Sequence, residues 1–231
     1  MIRSVIFDID STLYDYDSAN VSALAALSSY TENAFGWQPG QMQEENRRMM
    51  RILAQEMGST AGSHNRLIRY QRILEEKGIP LSPHVLRMYR LYWETLMEKA
   101  VLFDDAEDTL RTLHGRGIRI GIGTDMTSVM QVEKLERFGL MCYIDYFVSS
   151  EEAGAEKPDR RLFDLCVRKS GCRAEECLFV GDNYRKDYCG AVQAGLGAAL
   201  LLAGKAEEEA AGYEKQGVRV IRALREVTGL L

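Results

Sequence analysis

Short apolar runs alternate with stretches of helical period through most of this chain, and that alternation limits the fold more than any other feature. The runs at residues 5–7, 118–122, 177–180 and 198–202, with a weaker one at 146–148, lack the polar alternation of a half-wetted strand. They predict parallel strands covered on both faces. Between them, residues 105–116, 127–138, 160–169, 184–194 and 205–215 carry the spacing of helices. The expected fold class is α/β: a doubly wound parallel sheet in three layers, with right-handed crossovers. In such sheets ligands gather at the carboxyl ends of the strands.

One stretch breaks the alternation. Residues 15–99 contain no convincing strand and predict four helices, three of them closed by Gly36, Gly58 and Gly78. The fourth is expected to open with Ser82 as its N-cap and Pro83 in the first helical position. Apolar faces are read from Val21, Leu24 and Leu27 and from Leu67, Tyr70 and Leu74. The segment holds ten basic and ten acidic residues, so the net charge of −5 belongs to the remainder. It reads as a helical insert hinged near residues 13–17 and 99–103. The domain division expected is 1–14 with 100–231 as one body and 15–99 as the other.

A chain of 231 residues can bury a core that needs no disulfide staples. Its five cysteines form no CxxC pair and, with three scattered histidines, no zinc pattern. Small buried or half-buried thiols in a reducing compartment are expected. The acidic balance and the lack of a basic tract argue against nucleic acid and anionic membranes as partners. There is no signal-peptide h-region, and the longest apolar stretch, residues 196–203, is far short of a membrane span. The expected location is the cytoplasm.

Residues 8–13 read Asp-Ile-Asp-Ser-Thr-Leu, directly after the first apolar run. Two carboxylates placed there repel by about 4 kcal/mol at roughly 4 Å and an effective dielectric near 20. A divalent cation offsets that cost, and unlike environments let two such acids divide nucleophile and proton-transfer duties. Three further constellations follow: Thr124 after the 118–122 run, Lys157 before Pro158 at a helix entrance, and Gly181-Asp182-Asn183 through Asp187. Singly, each has a plain explanation as a cap, a turn or a solvated charge. All four fall at the same ends of the expected strands.

Phosphoryl transfer explains the residue types. It needs an in-line nucleophile with positive charge and donors around the equatorial oxygens. Asp8 can attack phosphorus to form an aspartyl phosphate, and Asp10 can protonate the leaving oxygen and later deprotonate water. Thr124 can donate its hydroxyl to a phosphoryl oxygen, and Lys157 supplies fixed positive charge. Asp182 completes an oxygen donor set suited to Mg2+.

The ordered set Asp8-Ile-Asp-Ser-Thr, Thr124, Lys157-Pro158 and Gly181-Asp182 to Asp187 resembles the haloacid dehalogenase (HAD) superfamily, subfamily I, with residues 15–99 resembling its C1 α-helical cap. The resemblance implies a Rossmann-like core, Asp8 as nucleophile, Asp10 as acid/base, and Thr124 and Lys157 on the phosphate. It implies Mg2+ on the Asp8 carboxylate, the Asp10 backbone carbonyl and Asp182, with Asp187 assisting through hydrogen bonds or water. The haloacid dehalogenases themselves lack a carboxylate where Asp10 stands, because a halide leaves without a proton. Asp10 therefore favours phosphate ester hydrolysis.

Two positions depart from the family pattern. Ser11 stands where glycine is common, and Asp125 where asparagine is common, adding negative charge that weakens phosphate affinity unless its side chain points away. Asp125, Arg66 and Tyr14 join Thr124 and Lys157 in the expected substrate-binding set. His64, Asn65 and Arg66 open a helix expected to face the cleft, Arg69 and Arg72 a solvated edge, and Tyr89, Tyr92 and Trp93 the bundle core.

The expected function is Mg2+-dependent hydrolysis of a small phosphorylated metabolite by a monomer or homodimer. The alternatives are a sugar-phosphate phosphomutase of the same fold and a non-catalytic phosphometabolite-binding protein. Phosphonate hydrolysis would need Lys77 or Lys99, the two lysines of the insert, as a Schiff base.

Overall fold

Six strands, β1 (Ser4–Phe7), β2 (Arg119–Thr124), β3 (Tyr146–Ser149), β4 (Cys177–Gly181), β5 (Gly197–Leu201) and β6 (Val220–Ile221), pair in parallel in the order β3-β2-β1-β4-β5-β6. The computed structural model of the chain describes residues 1–201 and 207–231. Every residue of β1 and β4 is buried, as the unbroken apolar runs require. The chain winds outward from β1 through β2 and β3, then returns to the other side of β1 with β4. The strand order thus reverses between β1 and β4, the point where open α/β sheets bind ligands.

Ten α-helices occur among the described residues. In the insert they are α1 (Tyr16–Phe35), α2 (Gln41–Met57), α3 (Arg66–Glu76) and α4 (His84–Lys99). The rest are α5 (Ala106–Gly115), α6 (Ser128–Arg137), α7 (Ser150–Ala153), α8 (Arg160–Ser170), α9 (Gly190–Gln193) and α10 (Glu207–Glu214). Leu162, Phe163 and Cys166 of α8 pack with Ile6, Val148 and Phe179 of the sheet in a buried core. The Phe163 and Phe179 rings meet edge to face at 5.2 Å.

The chain divides into two compact units, Met1–Tyr14 with Leu102–Leu231, and Asp15–Val101. In the first, Phe103 N–H donates to Leu13 O and Tyr14 bridges Leu102. In the second, α1 opens on an Asp15 cap that accepts from Ser18 N–H and closes on left-handed Gly36. The Asn65 side chain caps α3 through Leu67 N–H and Ile68 N–H. No described helix is long and apolar enough to cross a membrane.

Several expectations need correction. β6, only two residues long, carries too little sequence to register as a strand. The 184–194 segment is a π-helical stretch, Tyr184–Cys189, followed by α9. Pro83, rather than Ser82, occupies the N-cap of α4. The buried stripe of α1 runs through Ala19, Ala23, Leu27 and Thr31 at i, i+4 spacing, which turns Val21, two residues off that stripe, to solvent at 67% exposed. Arg69 is buried, whereas Arg72 pairs with Glu56 near the surface. Cys142 is exposed; Cys166 and Cys177 are buried, and all five cysteines are free. Residue 202 of the expected β5 run and residues 205–206 of the expected α10 lie outside the described residues.

Candidate active site

Asp8 directly follows β1, its N–H donating to Val180 O at 2.9 Å, which fixes the strand end beside β4. Asp182 follows β4, and Asp187 lies on the π-helical stretch beyond it. Carboxylate oxygens of Asp8, Asp182 and Asp187 all lie within 4.8 Å of one another, the one such acidic trio among the described residues. Gly181 makes this possible: a Cβ there would sit 2.4 Å from Asp187 Cγ. The Asp187 carboxylate also accepts from Asn183 N–H at 2.9 Å, pinning the turn.

Lys157 stands at the centre. Its ammonium is 2.8 Å from Asp8 Oδ1 and 2.7 Å from Asp187 Oδ1, with its side chain 2% exposed. Burial would lower the Lys157 pKa, but the Asp187 and Asp8 carboxylates outweigh it and hold it well above the usual range. Burial raises the Asp8 carboxyl to about 7 against the pull of Lys157, with Asp187 and Asp10 adding to the rise.

Thr124 ends β2, fully inside the fold. Its Oγ1 accepts from Gln131 Nε2 at 2.8 Å, and the same nitrogen donates to Asp125 O at 2.8 Å and Asp10 Oδ2 at 3.2 Å. The Asp10 Oδ1 atom accepts from the Lys134 ammonium and from the Tyr14 hydroxyl, each at 2.5 Å. Burial alone would raise the Asp10 carboxyl, but Lys134 and these donors hold it below the usual range. The Asp10 carboxylate is thus engaged apart from the acidic trio, and Tyr14 reaches it directly.

The Asp125 charge is answered locally. Its Oδ1 accepts from Lys157 N–H at 2.9 Å and its Oδ2 meets the Lys186 ammonium at 2.8 Å, so the carboxylate braces the Lys157 loop. Lys186 also lies 3.8 Å from Glu156. Ser11, in the loop after Asp8, adopts φ 58°, the left-handed conformation that glycine takes without strain. Arg66 is buried in the helical unit. It donates to the Tyr16 and Tyr92 hydroxyls at 2.6 Å and stacks 4.1 Å over the Tyr92 ring.

Sequence reading missed Gln131, Lys134 and Lys186. Gln131 and Lys134 share one face of α6 with the buried Met130 and Leu135, and that polar pair within an apolar stripe was the available sign. Lys186 sits inside the Asp182–Asp187 segment, where its charge reads as solvated.

The residues present fit a small divalent cation. Six carboxylates, Asp8, Asp10, Asp125, Glu156, Asp182 and Asp187, face three ammonium groups, Lys134, Lys157 and Lys186, leaving a formal excess of negative charge. The trio offers only hard oxygen donors, the set Mg2+ prefers.

Comparison with known proteins gives the family. A family model described as haloacid dehalogenase-like hydrolase matches residues 2–195. The chain is 34% identical, over 100% of both chains, to ribulose-1,5-bisphosphate 5-phosphatase of Halopiger xanaduensis. It is 31% identical to glyceraldehyde 3-phosphate phosphatase of Methanothermobacter thermautotrophicus, over 95% of this chain and 94% of that one. A HAD phosphatase from Thermococcus onnurineus superposes with TM-score 0.75 at 22% identity, covering 99% of this chain and 97% of the other. The chain belongs to the haloacid dehalogenase-like hydrolases.

Proposed function

We propose that the chain is a Mg2+-dependent phosphatase that hydrolyses the phosphate monoester of a small metabolite through an aspartyl phosphate on Asp8. The observation that carries this assignment is the cluster of Asp8, Asp182 and Asp187 at the strand-order reversal, with Lys157 bridging Asp8 and Asp187. Asp10, two residues beyond Asp8, supplies the proton that an alkoxide requires.

The steps follow from the side chains. Lys157 and the Thr124 hydroxyl neutralise and orient the phosphoryl oxygens. A carboxylate oxygen of Asp8 attacks phosphorus, and the P–O bond to the metabolite breaks with its electron pair on the leaving oxygen. Asp10 delivers a proton to that oxygen, so an alcohol departs. A water molecule then attacks phosphorus and passes a proton to Asp10, freeing inorganic phosphate and restoring Asp8. Asp8 and Asp182, with Asp187 adjacent, would hold Mg2+, which would supply positive charge that lowers the repulsion between carboxylate and phosphate. The helical unit is assigned the part of a substrate-selecting cap.

The substrates named for the two relatives, ribulose-1,5-bisphosphate and glyceraldehyde 3-phosphate, share a phosphate on a terminal carbon of a short carbonyl sugar. That class is the one we assign. A phosphate-release screen over terminal sugar phosphates, nucleoside monophosphates and phosphorylated coenzyme precursors tests it. The expected result is at least about 10-fold higher kcat/KM on short sugar phosphates, abolished by EDTA and restored by Mg2+. Release from no compound, or release indifferent to EDTA, would contradict it.

A further inference from the structure

The two carboxylate oxygens of Asp10 keep different company. Oδ1 takes both the Lys134 ammonium and the Tyr14 hydroxyl at 2.5 Å. Among the described residues, Oδ2 meets the Gln131 amide at 3.2 Å and no closer donor. An amide nitrogen has two hydrogens, and the shorter bonds of Gln131 Nε2 go to Thr124 Oγ1 and Asp125 O, both at 2.8 Å. Oδ2 is therefore held loosely while Oδ1 is held by two strong donors.

Lys134 is unusual for an ammonium group on a helix. Its side chain is 0% exposed, so its charge sits wholly inside the fold against Asp10. A buried, desolvated lysine is a costly way to build a helix face unless its charge is used. The Thr124 hydroxyl is constrained in the same neighbourhood. Because Gln131 donates to its oxygen, the hydroxyl hydrogen must point elsewhere, and its one protein acceptor among the described residues, Asp125 O, lies 3.4 Å away.

We infer that Lys134 and Gln131 are positioning residues: Lys134, with Tyr14, anchors Asp10 through Oδ1 so that Oδ2 handles the working proton, and Gln131 turns the Thr124 hydroxyl hydrogen toward the phosphoryl oxygens. The inference rests on the phosphatase assignment above. In the forward step Oδ2, having taken up a proton from water as the phosphate ester enters, passes it to the ester oxygen as the P–O bond breaks. In the second step Oδ2 accepts a proton from the attacking water, returning the carboxyl to its protonated state.

The test exploits leaving groups. p-Nitrophenolate leaves without a proton, whereas the alkoxide of glyceraldehyde 3-phosphate needs one. Single-turnover transfer to Asp8 is measured for both in wild type, Lys134→Met, Lys134→Arg and Gln131→Leu, with circular dichroism confirming the fold. Lys134→Met is expected to slow transfer from glyceraldehyde 3-phosphate about 100-fold while changing p-nitrophenolate release less than about 3-fold. Lys134→Arg, which keeps a charged donor, is expected to recover most of that loss. Gln131→Leu is expected to raise KM about 10-fold on both substrates alike, as a lost phosphate donor would.

Equal losses on the two substrates in a folded Lys134→Met, or no loss on either, would overturn the inference for Lys134. Should that variant fail to fold, Lys134→Gln, which keeps a neutral donor, is judged by the same ratio. An unchanged KM in Gln131→Leu would overturn the part concerning Thr124. Asp8→Asn separates the layers: phosphate release at the wild-type rate defeats the phosphatase assignment itself. An inactive Asp8→Asn beside a Lys134→Met without the leaving-group ratio defeats only the positioning role.

Discussion

At the carboxyl ends of β1, β2 and β4, lysines are buried against carboxylates; inside the helical unit, two arginines are buried against hydroxyls, an amide and aromatic rings. Lys157 bridges Asp8 and Asp187, and Lys134 meets Asp10. Arg66 instead donates to Tyr16 and Tyr92 and stacks on the Tyr92 and Trp93 rings at 4.1 and 4.7 Å. Arg69 donates to Asn46 Oδ1 at 3.2 Å, and its Nε meets no acceptor among the described residues. A lysine is a compact charge that answers a compact carboxylate, while a guanidinium is a flat group that packs. Buried charge by itself does not mark chemistry. It does so where carboxylates outnumber the cations that answer them and the excess suits a metal and a phosphate.

That contrast can be broken by removing each cation in turn. Lys157→Met leaves Asp8 and Asp187 without their shared partner, and breaking a buried pair costs about 3–5 kcal/mol. Urea unfolding in EDTA is expected to read a loss of that size, with phosphate release falling at least about 10²-fold. A loss below about 1 kcal/mol would mean that the ion pairs do not hold the strand ends together.

Arg66→Met removes two hydrogen bonds and a stacked cation and is expected to cost about 2 kcal/mol. A thermal midpoint equal to wild type would show that the tyrosine hydroxyls do not depend on it. Arg69→Met should fall within about 1 kcal/mol of wild type, because an apolar chain of similar volume replaces a poorly satisfied charge. A loss comparable to Lys157→Met would erase the distinction between the two regions.

Ser11→Gly gives the smallest effect. Relief of a left-handed serine is worth about 1–2 kcal/mol, and the added freedom of the unfolded glycine offsets roughly 0.5–1 of it. A net gain of about 0.5 kcal/mol in urea unfolding is expected; a clear loss would mean that the serine side chain is needed in the loop.

Much of this arrangement was legible in the residues. Five of six strands stand out because strands buried on both faces must be unbroken apolar runs, and the acids that follow them mark the ligand end. Asp8, Thr124, Lys157, Asp182 and Asp187 could be placed from order alone, since each sits at or just beyond a strand end or helix entrance. Gln131 and Lys134 could not, because a polar residue on a helix reads as solvated until tertiary packing covers it. Arg69 went astray for the same reason. The π-helical stretch at Tyr184–Cys189 escaped because its period differs little from that of an α-helix over so few residues. The pairing of Asp125 with Lys186 joins residues 61 positions apart, a distance across which local patterns carry no information.

The most direct test is to trap the covalent species. Turnover with labelled glyceraldehyde 3-phosphate and Mg2+ is quenched in acid, and the protein is reduced with borohydride, which converts an aspartyl phosphate to homoserine. Peptide mass spectrometry should find homoserine at position 8 in wild type and not in Asp8→Asn. Phosphate released at full rate with Asp8 unmodified, or the label on another residue, would contradict the account.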